Sequence, residues 1–221
     1  EAHAFAGVAD LEGDGRAEIL ARTGWWSRNI DAASGGGWTF HPWGVADAVM
    51  PGVVQMYAID VDGDGLKDVV TSVSPHGWGL AWYQQSRDAA GSIRFAKHLI
   101  MGSPDMPGME AAFSEPHAVA VGDVDGDGVP DVIAGKRWWA HRDGQRDPDP
   151  DGPAVLYWFK TIRERGGSIR FEPNLINHPS GVGTQIAAAD VTGDGRVVVL
   201  AAGRKGAFLF TNSATRERRK R

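Results

Sequence analysis

Residues 123–131 read Asp123-Val124-Asp125-Gly126-Asp127-Gly128-Val129-Pro130-Asp131, and related sequences begin at Asp60, Asp10 and Asp190. Aspartates at loop positions one, three, five and nine bring four carboxylates within a few ångströms of one another. Two unit charges about 4 Å apart repel by roughly 4 kcal/mol at an effective dielectric constant of about 20, so the closed loop needs a cation. Hard oxygen ligands at this density favour calcium, and the position-seven carbonyl is a further ligand. The pattern predicts a repeated calcium loop.

An EF-hand begins with the same spacing but requires a bidentate glutamate at position twelve. That position holds Ala134 in this stretch and Thr71 in the copy at Asp60. The flanking residues 118–121 and 131–134 are short apolar or β-branched runs without helical periodicity. We therefore expect each loop to join two β-strands.

The four copies differ in their acidic positions. In the copy at Asp10, glutamate replaces aspartate at positions three and nine, which predicts a looser site. In the copy at Asp190, Val198 stands at position nine, which predicts a loop that keeps its shape without calcium or binds it poorly. The predicted calcium ligands are Asp60, Asp62, Asp64, Leu66, Asp68, Asp123, Asp125, Asp127, Val129, Asp131, Asp10, Glu12, Asp14, Arg16, Glu18, Asp190 and Asp194.

Composition limits the class of protein. The 221 residues, 42% hydrophobic and 23% charged, are typical of a soluble globular chain. The net charge of −5, despite a basic stretch at 216–221, argues against a nucleic-acid partner, and no apolar run approaches the ~18 residues of a membrane span. No secretory signal is present in this chain. We expect an extracellular or periplasmic location, because weak calcium sites that fill at about 10⁻⁴–10⁻³ M are typical of extracellular modules.

The spacing of the loops predicts the architecture. Their first aspartates are separated by 50, 63 and 67 residues, and each interval contains about four short strands, which indicates propeller blades. Propellers usually close with about 4–8 blades, so the chain forms either an unusually small propeller or, as we favour, part of a larger one. The predicted blades cover residues 4–43, 54–100, 117–176 and 184–210 of an all-β domain at 1–211, followed by a basic tail at 212–221.

The two full loops, with their flanking strands, resemble the FG-GAP or VCBS repeat, the blade type of integrin α-subunit heads. This resemblance covers residues 4 to about 210 and implies the fold, but it hardly restricts function because the fold serves adhesion, lectins and enzymes alike.

Four other segments are not needed to build blades. They are residues 76–82, 115–118, 135–141 and 180–185. They resemble segments of bacterial propeller proteins related to the propeller domain of fungal aldos-2-ulose dehydratase. That resemblance implies elimination of water from a keto-sugar at a zinc ion near the propeller axis.

Several polar residues are candidates for a ligand site. Gln55, Gln185 and His117 precede their loops by five or six residues, which places them at the start of innermost strands, where they either converge on a ligand or only satisfy backbone groups. His76 and His141 follow second strands and complete a three-histidine set suited to zinc. Lys136 could hold a carboxylate or stabilise an enolate.

These observations predict a calcium-stabilised propeller that binds or acts on a carbohydrate, in one interpretation as a zinc-dependent keto-sugar dehydratase or lyase. The alternative is a non-catalytic module that binds a glycan or protein through loops at the blade tips. A tightly held zinc ion separates the two, because a pure binding module needs calcium only.

Overall fold

The structure, a computed structural model, describes residues 7–29, 36–43, 55–139 and 147–213. These residues form fifteen β-strands in four antiparallel sheets and no helix. Consequently none of them provides a helix that could cross a membrane. The arrangement confirms the prediction of an all-β propeller.

Each sheet is a meander in which strands adjacent in sequence pair with each other. Blade 1 contains β1 (Gly7–Ala9), β2 (Glu18–Ala21), β3 (Gly24–Asn29) and β4 (Gly37–Pro42). Blade 2 contains β5 (Tyr57–Ile59), β6 (Asp68–Ser72), β7 (Leu80–Arg87) and β8 (Ile93–Met101). Blade 3 contains β9 (Ala118–Gly122), β10 (Asp131–Gly135), β11 (Leu156–Arg163) and β12 (Ile169–Asn177). Blade 4 contains β13 (Ile186–Ala189), β14 (Val198–Gly203) and β15 (Gly206–Phe210).

The two middle blades are buried on both faces. In β6, Val69 packs into the core shared with blade 1, whereas its neighbour Val70 packs into the core shared with blade 3. In β10, Val132 packs into the core shared with blade 2, whereas Ile133 packs into the core shared with blade 4. Because successive side chains of a strand point to opposite faces, a strand between two blades reads as a continuous apolar run.

The outer faces of blades 1 and 4 remain partly exposed in the described structure. In blade 1, Val8, Trp26 and Phe40 lie in one cross-strand row and are 69%, 39% and 38% exposed. In blade 4, Leu200 pairs with Leu209, and they are 46% and 62% exposed. Apolar rows of this kind match the faces that blades 2 and 3 bury, so they support the prediction of a larger ring, which stays a prediction.

Candidate functional site

The four DxDGDG-type loops share one backbone design. In every copy the first aspartate accepts the amide N–H of the position-six glycine, at N–O distances of 2.7 to 3.1 Å. The fifth-position aspartate accepts the N–H of position seven in the same way. Gly65 and Gly128, both with φ of 90°, occupy position six, where a side chain would be strained. The loop at Asp190 keeps this shape although it lacks the ninth-position acid.

The position-nine aspartates are buried, and their hydrogen bonds attach the loops to the sheet. Asp68 accepts N–H groups from Val61 within the loop and from Gln85 on β7. Asp131 does the same with Val124 and with Thr161 on β11. Burial raises the pKa of each carboxyl to about 7, against the opposing effect of these hydrogen bonds. Glu18 is the buried counterpart in blade 1, where burial also raises the pKa.

The donor sets of two loops fit a hard cation. One carboxylate oxygen from each of three aspartates lies within 4.8 Å of the others in each loop. The groups are Asp60, Asp62 and Asp68 in blade 2, and Asp123, Asp125 and Asp127 in blade 3. Over the described ranges, the loops of blades 1 and 4 form no such group. Calcium, which prefers several carboxylate and carbonyl oxygens, suits this chemistry.

The neighbours of these two loops differ in charge. In blade 2, Gln84 Nε2 donates a hydrogen bond to Asp62 at 2.6 Å. In blade 3, Lys160 Nζ forms an ion pair with Asp125 and lies 3.2 Å from Asp127. The two acids raise the pKa of Lys160 further above its usual range, so the ammonium stays charged.

The loops of blades 1, 2 and 3 are also held by the blade that follows each of them in sequence. Arg87 of blade 2 donates to the Glu12 carbonyl in blade 1. Arg163 of blade 3 donates to the carbonyls of Asp60 and Val61 in blade 2, and Asn212, after β15, donates to the carbonyl of Val124 in blade 3. We call these contacts the inter-blade clamps.

A second site lies between blades 2 and 3, where His76, Glu115 and His117 offer one ligand atom each within 4.8 Å of one another. His76 Nδ1 is 3.3 Å from Glu115 Oε1, and the two imidazole rings lie 5.1 Å apart, edge to face. Glu115 and His117 are fully buried, whereas the His76 side chain is 28% exposed. The group therefore has a buried interior and one edge open to solvent.

The backbone around Glu115 is fixed by both blades. Its N–H donates to the Gly77 carbonyl of blade 2, and its carbonyl accepts the N–H of Arg137 of blade 3. Its φ of 56° lies in the left-handed region, which is unusual for a non-glycine residue. Strained residues of this kind persist only where the surroundings hold them, and they cluster at functional sites.

The electrostatics of Glu115 also single it out. Burial raises the pKa of its carboxyl to about 7, and Asp147 adds to this effect while Arg137 and Lys136 oppose it. Its buried Oε2 has no hydrogen-bond partner among the residues that the structure describes. A buried oxygen in this state costs free energy unless a ligand, ion or water completes it. Two imidazoles and one carboxylate form a ligand set that suits zinc.

The structure brings together two of the three predicted histidines, His76 and His117. His141 lies outside the described residues. Glu115 was not among the predicted site residues, although it stands two positions before His117 in a segment that blade construction does not require. A Glu-x-His spacing beside a predicted ligand is the signal that identifies it.

The other predicted residues have structural partners or lie elsewhere. The buried Lys136 Nζ contacts Ser114, the Asp147 carboxylate at 3.0 Å and the Asp149 carbonyl at 2.7 Å. Gln55 Oε1 accepts the N–H of Val119, which matches the interpretation that it satisfies backbone groups. Gln185 is exposed just before β13.

Comparison with known families supports the blade assignment. Residues 60–134 match the family model of the FG-GAP-like repeat. The matched segment begins at the blade 2 loop and ends in β10, so it contains one complete loop-to-loop repeat. No curated protein matches the chain.

Proposed function

We propose that this propeller holds a zinc ion at His76, Glu115 and His117 and acts on a carbohydrate, as a keto-sugar dehydratase or related lyase. The observation that carries the proposal is the convergence of three ligand atoms from two blades, beside a buried carboxylate oxygen, Glu115 Oε2, that lacks a hydrogen bond in the described structure. The resemblance of residues 76–82 and 115–118 to dehydratase-related propellers supplies the substrate class. An extracellular or periplasmic location is part of the same proposal.

The residues themselves suggest a division of roles. His117 and Glu115 are rigidly placed by the backbone hydrogen bonds that join blades 2 and 3. His76, on the open edge, is positioned to meet a ligand that approaches from solvent. When bound, zinc polarises a carbonyl oxygen and so acidifies the neighbouring carbon. We assign Lys136 no part in stabilising an enolate, because its ammonium is enclosed by Ser114, Asp147 and Asp149.

We further propose that calcium binds the loops of blades 2 and 3 and stabilises the propeller. Its support is the clustering of three aspartates in each loop. This role is structural and is independent of the zinc site, since the two sets share no residue.

Elemental analysis tests the zinc proposal. The purified chain should contain one equivalent of zinc, which Glu115→Gln and His117→Ala remove. His178→Ala is a matched control, because His178 is exposed and lies outside the cluster. If the wild-type chain binds no zinc, or if the variants retain it, the site is a structural His–Glu pair and the chemistry fails with it.

A second candidate is a non-catalytic glycan-binding module. The hydrogen bond between His76 and Glu115 favours it, because such a pair can simply stabilise the junction between two blades. The discriminating measurement is the appearance of an unsaturated ketone, followed by ultraviolet absorbance, when zinc-loaded protein is mixed with keto-sugars. If the protein binds zinc but forms this product from none of the keto-sugars, the binding-module function is the one supported.

A further inference from the structure

A cavity of about 280 Å³ opens between blades 3 and 4, next to the proposed zinc site. Its walls include Arg137, Trp138, Thr184 and Arg204. Arg137 also connects the two sites, because its backbone N–H donates to the Glu115 carbonyl. A cavity this small, just below the usual range for ligand pockets, suits a single sugar unit better than a chain of them.

Close backbone contacts hold several of the residues that line the cavity. Arg137 forms an isolated parallel bridge with Val182, whose N–H donates to the Lys136 carbonyl. A side chain at Gly183 would collide with the Ala202 carbonyl, 2.2 Å from the place of its Cβ atom. The backbone of this part of the lining is therefore held in place before a ligand binds.

The charge of the cavity is positive. Its lining contains Arg137 and Arg204 and, within the described parts of the chain, no carboxylate. Lys205 adds a third cation, with its Nζ 4.2 Å from the centre of the Trp138 ring, an arrangement that fixes the ammonium by a cation–π contact. Arg137 also interacts electrostatically with the buried Glu115, which belongs to the neighbouring site.

We propose that this cavity binds the carboxylate of an acidic sugar, a uronate. Guanidinium groups bind carboxylates with two parallel hydrogen bonds, and two arginines that line one cavity, one from blade 3 and one from blade 4, favour a planar anion over a neutral hydroxyl group. The part of Trp138 that lines the cavity, away from the ring face that Lys205 covers, supplies the apolar surface that a sugar ring requires. The inference rests on the proposed carbohydrate ligand but not on zinc, and it narrows the substrate class to acidic sugars.

Calorimetric titration with sodium galacturonate and with galactose tests the proposal in the full chain. Galacturonate should bind roughly tenfold more tightly than galactose or better, the difference expected from one charge-assisted interaction. Its affinity should fall as salt is added, because the cations are partly exposed. Equal binding of the two sugars, or no binding of galacturonate, would overturn the proposal.

Variants locate the site and separate it from the zinc site. Arg204→Gln should weaken galacturonate binding roughly tenfold, the loss of one charged hydrogen-bonding group, while its zinc content stays that of the wild type. Arg165→Gln, which removes the same charge from an exposed turn of blade 3, is the matched control and should bind normally. An unchanged affinity in Arg204→Gln overturns the location.

Competition with sodium sulfate distinguishes a sugar site from a general anion site. Sodium sulfate should compete only weakly, because it offers nothing to the Trp138 surface. If sulfate binds as tightly as galacturonate, the cavity is an anion site without sugar recognition and the proposal is wrong. If galacturonate binds while the protein contains no zinc, the cavity assignment stands and only the proposed chemistry fails.

Discussion

The loops at Asp60 and Asp123 have aspartates at the same four positions and share the hydrogen bonds of the N–H groups at positions six and seven, but they face different neighbours. Gln84 and Lys160 are both the fifth residue of an eight-residue third strand, and both reach the third-position aspartate of their loop. One neighbour is neutral and the other carries a positive charge. The comparison teaches that the cation demand of a metal loop depends on the adjacent strand as well as on the loop itself.

The charge difference should change calcium binding. An ammonium between Asp125 and Asp127 already offsets part of their repulsion, and it must be displaced or tolerated when calcium enters. The blade 2 loop also has a cation nearby, but Arg163 donates to carbonyls and its Nη2 is 3.8 Å from Asp60 Oδ1. We therefore expect the blade 2 loop to bind calcium more tightly, whereas acid counts alone predict equal sites.

Exchanging the two neighbours should produce the largest effect. Lys160→Gln should tighten calcium binding in blade 3 and Gln84→Lys should weaken it in blade 2, each about tenfold, so that the ratio of affinities changes about 100-fold, or roughly 2.7 kcal/mol. Isothermal titration calorimetry of the double variant measures both sites. Affinities that do not move in opposite directions would show that the third strand does not control the loops.

Chelation shows which loop stabilises the protein. A ligand at 100 times its dissociation constant stabilises the folded state by about 2.7 kcal/mol, so EDTA should lower the melting temperature by roughly 5–10 °C. Asp60→Asn should remove most of this sensitivity and Asp123→Asn only a small part. If EDTA leaves the wild-type melting temperature unchanged, calcium has no structural role.

Alanine substitutions extend the comparison to the fourth loop. Asp127→Ala should lower the free energy of unfolding by about 1–2 kcal/mol, because it removes a calcium ligand and a partner of Lys160. Asp194→Ala should cost less than about 0.5 kcal/mol, since that loop has no position-nine acid and its exposed ion pair with Arg196 is 3.9 Å long. Urea denaturation measures the free energy of unfolding of both variants. A larger loss of stability in Asp194→Ala than in Asp127→Ala would contradict this prediction.

The smallest effect should be common to both loops. Asp68 and Asp131, with pKa values of about 7, must lose their protons to bind calcium, so affinity should fall about threefold between pH 7.5 and 6.5. In the metal-free protein the sign is opposite: a carboxyl with a raised folded-state pKa favours folding when protonated, so stability is lost as the pH rises through 7. Calcium titrations and melts in EDTA across this range measure both trends. A pH-independent affinity would exclude these carboxyls as ligands.

The sequence predicts the blades well because each loop is local. The spacing of aspartates and glycines between two short apolar runs defines a strand–loop–strand unit without information from distant residues. The site between blades 2 and 3 is only half predictable, because Glu115 reaches His76 through a left-handed backbone that other blades hold in place. Lys160 is missed for a similar reason: it lies 35 residues from Asp125, and only alignment of the two third strands reveals it.

The inter-blade clamps have a consequence for synthesis on the ribosome. The residues that close the loops of blades 1, 2 and 3 follow them by 75, 102 and 88 residues. When a blade leaves the ribosome, the carbonyl groups of its acidic loop therefore lack these hydrogen bonds, and the donors are supplied when the next blade has been made. These contacts would allow each newly made blade to complete the loop of the one before it as the chain emerges.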